Sequence, residues 1–360
     1  MADVVPDSCR WTTGPCPEPS QAHALAAKQR QASLTKPPGS LGALETIAVT
    51  LAALQRTERP QAVWAPILLF AGDHGIAAQH VSAYPSAVTV EMLRNFARGG
   101  AAISVLARRL GVFLTVIDAG TLAEDPIAGV VMDKPRRGTR DFSRERALTA
   151  DELAFALGCG RRAVARVARN GADLVLLGDM GIGNTTSAAA MASAILGRPA
   201  RDLVGAGTGL DAAGIEHKAT VVTASLALHG LAFGEAEPWN ALSAVGGLEI
   251  AALTGAMIAA AQAALPVLVD GFVVSVAALA AVRLNPGVRP WLLLSHRSAE
   301  RGHGIVLDAL EARPILDLGL RLGEGSGAAA ALPLVRLACA LHAEMATFQE
   351  AAISGGTPCL

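Results

Sequence analysis

Aromatic side chains make up only 4% of this chain, and Tyr84 is its one tyrosine. So sparse a supply excludes the stacked aromatic platforms that grip single-stranded nucleic acid. An excess of one charge is also missing: 30 basic residues face 31 acidic ones, for a net charge of −1, which argues against a nucleic-acid surface. The densest basic run, Lys134–Arg140 (KPRRGTR), is short and is followed by acids, so it reads as a solvated loop. Cysteine is scattered. Cys9, Cys16, Cys159, Cys339 and Cys359 form no CxxC pair, which fits a reducing compartment and excludes a zinc framework built on such pairs. The first residues carry acids and prolines instead of an apolar core, unlike a secretory leader. The expected location is the cytoplasm.

Three familiar motifs are lacking as well. No glycine loop ends in GKS or GKT, none completes the dinucleotide fingerprint, and no G-x-S-x-G elbow occurs. No His-x-x-x-His pair accompanies Asp73 and His74, and His296 and His303 stand seven apart, so no metal ion is expected. One segment imitates a membrane span: residues 250–269 carry no charge. Its alanine content, and the apolar run that ends it at Asp270-Gly271, read as a buried helix followed by a buried strand.

What is present is apolar material, 52% of 360 residues, enough for a large core. The proline-rich residues 1–20 read as an extended arm. Residues 21–56 read as helical, with a break at Lys36–Ser40. Short apolar runs then alternate with Ala-rich helical stretches. The runs are Ile67–Ala71, Phe113–Asp118, Leu174–Leu177, Pro266–Val269, Trp291–Leu294 and Pro314–Leu316. Such βα alternation predicts an α/β fold, a mostly parallel, doubly wound sheet with flanking helices. The tail, residues 328–354, reads as a long Ala/Leu helix starting late or kinking at Pro333.

Ligands of such sheets bind beyond the carboxyl ends of the strands, and every informative loop follows a strand candidate. Gly181-Ile182-Gly183-Asn184-Thr185-Thr186 opens an Ala-rich helix and is the best anion-site candidate, since glycines free backbone N–H groups and a helix N-terminus adds partial positive charge. Gly205–Gly209 (GAGTG) and Lys218 follow it. Near the C-terminus Glu324 stands alone among glycines in Gly323-Glu324-Gly325-Ser326-Gly327, where it could serve as a general base beside a substrate lying against the backbone.

Seven stretches carry a resemblance: Thr35–Gly42 (TKPPGSLG), Ala71–Gly75 (AGDHG), Val81–Pro85 (VSAYP), Gly181–Thr186 (GIGNTT), Gly205–Gly209 (GAGTG), Ser295–Glu300 (SHRSAE) and Leu320–Ala328 (LRLGEGSGA). In this order, the chain resembles the nicotinate-nucleotide–dimethylbenzimidazole phosphoribosyltransferase family. The resemblance implies a homodimer of two-domain subunits that needs no metal or cofactor. A Rossmann-like catalytic domain would span residues 59–328. A small helical bundle would join residues 21–58 and 329–360 and would stand apart from the sheet. The implied activity moves the 5-phosphoribosyl group of nicotinate mononucleotide to 5,6-dimethylbenzimidazole. The family's general base falls on Glu324. Its second acid falls on Asp179, where glutamate is usual. Its lysine falls on Lys218. The aromatic-base pocket falls on Ser82, Tyr84 and Pro85, with Glu91 in place of the usual glutamine. The implied substrate-binding set further includes Met180, Gly181, Ile182, Gly183, Asn184, Thr185, Gly207, Ser298, Leu322, Gly323 and Gly325.

Overall fold

Six short apolar runs line up as one parallel sheet in a computed structural model that describes residues 7–232 and 234–354. The strands are β1 (Ile67–Gly72), β2 (Leu114–Gly120), β3 (Val130–Met132), β4 (Val175–Met180), β5 (Val267–Val269) and β6 (Leu292–Leu294). Their spatial order is β3-β2-β1-β4-β5-β6, so the winding reverses between β1 and β4. Ile67 of β1 stands beside Leu114 of β2 and Leu176 of β4, and every strand pair is parallel. β1 is buried along its whole length, which is why it reads as an unbroken apolar run without alternation.

The helices are α1 (Gln21–Ser33), α2 (Ala43–Gln55), α3 (Ala87–Arg98), α4 (Ala102–Leu110), α5 (Ala150–Arg169), α6 (Asn184–Leu196) and α7 (Ala200–Leu203) in the first part. They continue as α8 (Ala212–Leu228), α9 (Pro238–Val245), α10 (Leu248–Gln262), α11 (Phe272–Leu284), α12 (His303–Ala309) and α13 (Ser326–Glu344). The two faces of the sheet carry separate cores. Leu68 and Phe70 of β1 join the core built with α5, α6, α10 and α11. Ile67, Leu69 and Ala71 turn the other way, toward α2, α4 and α13. The span-like segment is α10 followed by β5, and almost all of α10 is buried. Its small residues serve contact: a methyl group on Gly255 would lie 2.1 Å from the carbonyl oxygen of Leu157, so α5 and α10 touch backbone to backbone. Among the described residues only α13 is long and apolar enough to cross a membrane, and more than half of it is buried in the fold.

Several expectations need adjusting. Pro314–Leu316 is no strand but a single bridge, Leu316 to His296. β3 went unread, because three half-exposed edge residues give no pattern. Residues 7–13 of the supposed extended arm form a 3₁₀ helix that buries Cys9 and Thr12. The Asn285 side chain holds it by donating to the carbonyls of Thr12 and Gly14. Residues 1–6, residues 355–360 and Cys359 lie outside the described residues.

The chain ends do meet. The Arg30 guanidinium donates to the carbonyls of His342, Ala343 and Met345 at the end of α13, and Leu34 pairs with Thr347. They do not stand apart from the sheet, however. Ile47 and Leu51 of α2 share a core with Ala329 and Leu332 of α13 and with β1. Nor does a break fall at 328/329, because α13 runs unbroken from Ser326 through Pro333 to Glu344. The tail then turns back at Met345 instead of continuing as helix to residue 354.

Candidate active site

The loops after β1, β4, β5 and β6 converge at the carboxyl end of the sheet, at the reversal of strand order where open α/β sheets take their ligands. A cavity of about 550 Å³ opens there. One wall is the glycine turn: Met180, Gly181 and Ile182 lead into α6, whose first residues Asn184 and Thr185 face the cavity. Gly181 must be glycine, since a methyl group there would sit 2.1 Å from the carbonyl oxygen of Gly72 on β1. The start of α6 directs its dipole at this wall. Gly207, Thr208, Ser298, Glu300, Leu322 and Gly323 complete much of the lining.

Lys218 is fully buried on α8, directly behind the wall. Its Nζ donates to Thr185 Oγ1 at 2.7 Å and lies 3.3 Å from where a side chain on Gly207 would begin. Burial lowers its pKa to about 8, against the opposing pull of the Glu300 carboxylate. Ser298 is held in place by His303, whose Nδ1 accepts the Ser298 N–H at 2.7 Å. Burial, with His296 and Arg297 adding to it, lowers the His303 pKa to about 3, so this ring stays neutral.

Two acids meet at the far side. Asp179, next to last in β4, lines the cavity and accepts a hydrogen bond from Asn184 Nδ2 at 2.7 Å. Burial raises its pKa well above the usual range, and the charges of Asp270, Glu249 and Glu324 add to this while the Asn184 bond opposes it. Glu324 lies just behind Gly323, and its backbone N–H donates to the Asp179 carbonyl at 3.2 Å. Its Oε2 accepts the Ile103 N–H at 3.4 Å, at the start of α4. Burial again raises the pKa; the Ile103 N–H opposes the rise and the Asp270 charge adds to it. A carboxylate with a raised pKa is a better proton acceptor than one in water.

A second cavity, about 530 Å³, adjoins the first and shares Tyr84 with it. Ser82 and Pro85 line it. The Ser82 hydroxyl is 3.0 Å from Thr208 Oγ1, so the 81–85 loop is tied to the 205–209 loop. A larger cleft of about 760 Å³ lies beyond α3, but its charged residues, Arg94, Arg98, Glu124 and Asp125, are exposed to water.

Most of the sequence-picked residues therefore fall on one site. Gly183 sits under the turn against His74, and Gly325 sits behind Glu324 with its N–H on Asp270. Glu91 does not join them. It is exposed on α3 and lines neither cavity, because the buried face of that helix is Thr89, Leu93 and Phe96. Sequence reasoning gave no role to Asp270 or to the buried His74–Glu249 pair, 2.6 Å apart beneath the glycine turn. Asp270 carried a weak signal as an acid ending an apolar strand; Glu249 carried none. Among the described residues, no three His, Cys, Asp or Glu side chains gather as a metal would require.

A doubly wound sheet, a glycine turn on a helix N-terminus and buried acids beside it define an α/β enzyme that handles a small anionic substrate. The comparisons with known proteins narrow this class. A family model described as phosphoribosyltransferase matches residues 16–353. The nicotinate-nucleotide–dimethylbenzimidazole phosphoribosyltransferase of a Bradyrhizobium species is 64% identical over 352 residues, covering 98% of this chain and 99% of its own. Its namesake from Pseudomonas aeruginosa is 56% identical over 350 residues, covering 96% of this chain and 99% of its own. A crystal structure of the same-named enzyme from Thermus thermophilus superposes with a TM-score of 0.88 at 42% identity, over 94% of this chain and 100% of that one. The chain belongs to the nicotinate-nucleotide–dimethylbenzimidazole phosphoribosyltransferase family.

Proposed function

We propose that this enzyme transfers the 5-phosphoribosyl group of nicotinate mononucleotide to 5,6-dimethylbenzimidazole, with inversion at C1′, giving α-ribazole 5′-phosphate and nicotinate. One observation carries the reading: in a chain of this family, a buried Glu324 with a raised pKa stands next to a cavity walled by a glycine turn. The 5′-phosphate would rest on the Gly181–Thr185 turn, within reach of Lys218 through Thr185 and Gly207. The aromatic base would lie against Tyr84, Pro85 and Leu322.

The chemistry follows from the substrates. The C1′–N bond to nicotinate breaks, and its electron pair returns to the pyridine nitrogen, so the leaving ring needs no acid. A lone pair on one azole nitrogen forms the new bond from the opposite face. The azole becomes cationic, and Glu324 takes the proton from its other nitrogen. Asp179 would stand as the second acid beside the reacting centre, held by Asn184.

The homodimer is also part of this reading. What supports it is apolar surface at the cavity: Tyr84 and Leu322 line it and are each more than half exposed in the single chain. Residues 21–58 and 329–360 would be the smaller, helical unit of each subunit, resting on the sheet through the core that α2 and α13 share with β1. The site of action would be the cytoplasm. The test is incubation with nicotinate mononucleotide and a panel of bases, with released nicotinate and the coupled nucleotide both measured. Release with dimethylbenzimidazole is expected. Turnover only with a purine or a phenol would reassign the acceptor, and tight binding without turnover would make the protein a nucleotide sensor.

A further inference from the structure

Asp270 follows β5, is fully buried and lines neither cavity. Its two oxygens have separate tasks. Oδ2 accepts the Gly325 N–H at 3.0 Å, and Oδ1 accepts the Ala328 N–H at 2.9 Å. These donors belong to the start of α13, and Gly325 directly follows Glu324 in the chain.

The turn so held is an uncommon one. Gly323, Glu324 and Gly325 have φ of 82°, 64° and 82°, three left-handed residues in succession. Glycine takes this conformation freely, but a glutamate does so only where its surroundings over-determine it. Part of the constraint comes from the Ser326 hydroxyl, which donates to the Gly323 carbonyl at 2.7 Å, and from the Glu324 N–H bond to Asp179. Asp270 fixes the other side, by accepting from the residue after Glu324 and from the helix that follows. The His296 ring lies beside it, with Nε2 3.6 Å from Oδ1. The same ring fills the space beside Gly327, where a methyl group would come within 1.9 Å of it. A buried carboxylate is costly to keep, and each oxygen of this one accepts an N–H from the backbone that follows Glu324.

We propose that Asp270 is a positioning residue: it clamps the Gly323–Gly325 turn and so holds the Glu324 carboxylate at the distance proton transfer requires. The inference rests on the reading of Glu324 as the base. It predicts an electrostatic consequence too. Asp179 from β4, Asp270 just after β5 and His296 from the loop after β6 are the ionisable groups beside this turn, with Glu249 of α10 acting on Asp179 behind them. Because the Asp270 charge raises the pKa of Glu324, neutralising Asp270 should move the acid limb of activity to lower pH.

The experiment is a double-mutant cycle. Asp270→Asn keeps the shape but offers only one acceptor, and its amide nitrogen faces an N–H. Displacing the base should lower kcat by roughly 10²-fold with little change in the Kd of either substrate, and the acid limb should shift downward. In the Glu324→Gln background the same change should cost little more, since a misplaced base and an absent one are equivalent. If Asp270→Asn multiplies its full loss onto Glu324→Gln, or if kcat and the acid limb stay at parental values, the positioning role is overturned. If Glu324→Gln alone keeps near-normal turnover, the base assignment fails first and takes this inference with it. Should Asp270→Asn not fold, as judged by circular dichroism, Asp270→Ser carries the same cycle with a smaller neutral side chain.

Discussion

A methyl group placed on Gly178 tests how closely the Glu324 turn must approach the sheet. Gly178 lies within β4, one residue before Asp179, and the turn packs directly on its α-carbon. The added carbon would stand 2.6 Å from the Glu324 carbonyl oxygen and 2.6 Å from the Gly325 nitrogen. An ordinary contact is about 3.5–4.0 Å, so one side must retreat by about 1 Å. β4 is hydrogen-bonded to β1 on one side and β5 on the other, whereas the turn is joined to the sheet by fewer bonds. The turn should therefore yield. A displacement of about 1 Å at a reacting group costs roughly 10²-fold in rate, and overpacking costs about 1–3 kcal/mol of stability. Gly178→Ala should then lose about two orders of magnitude in kcat, measured as nicotinate release at saturating concentrations of both substrates. Its affinity for nicotinate mononucleotide, measured by calorimetry, should change little. A variant that is less stable yet keeps parental kcat would refute the reasoning, because the turn would have moved without moving the group that matters.

Glu324→Gln should lower turnover by roughly 10²–10⁴-fold, the usual worth of a general base, with both dissociation constants nearly unchanged; near-normal turnover would shift the role to Asp179. Burial and the Asp270 charge raise the pKa of Glu324, and the base works only when ionised. A kcat–pH profile should therefore lose activity, as pH falls, already above the ordinary glutamate range, and a limb at the ordinary value would contradict this. The raised pKa of Asp179 means that its contribution to stability is present below the ordinary aspartate pKa and is lost as pH rises through the raised value. Asp179→Asn should accordingly raise Tm at pH 7 but not near pH 3, while slowing turnover; scanning calorimetry at the two pH values decides it. Lys218, with its pKa lowered to about 8, should lose its proton as pH climbs past that value, weakening nicotinate mononucleotide binding several-fold. Lys218→Met should bind weakly at every pH, and a variant that keeps the parental pH dependence would acquit Lys218.

Much of this molecule is local in its logic, and that part is legible in the chain itself. Parallel strands covered on both faces are mostly apolar, so β1, β2, β4, β5 and β6 stand out as short, largely apolar runs, with acids only near the carboxyl ends of β2 and β4. The loops that follow them need glycine where backbones touch, and so GIGNTT and GEGSG stand out in the sequence and fall at the cavity. The edge strand β3 escapes the same logic, because its three residues are only partly covered and need no pattern.

Tertiary structure decided what depends on closure between distant residues. Only the packed fold brings His74 to Glu249, 175 positions away, or Asp270 to Gly325, 55 positions away. Glu324, a lone acid in its loop, comes to lie against β4, the start of α4 and Asp270 after β5, and that burial raises its pKa. The fold also chose between two faces of α3. Thr89 turns inward and its hydroxyl accepts the Ile182 N–H, while Glu91 turns to water. The chain ends, alike in their Ala/Leu composition, pack on each other, and the fold also sets them against a sheet face. α2 and α13 cover it because burying the apolar side of β1 outweighs leaving those helices to pack only with each other.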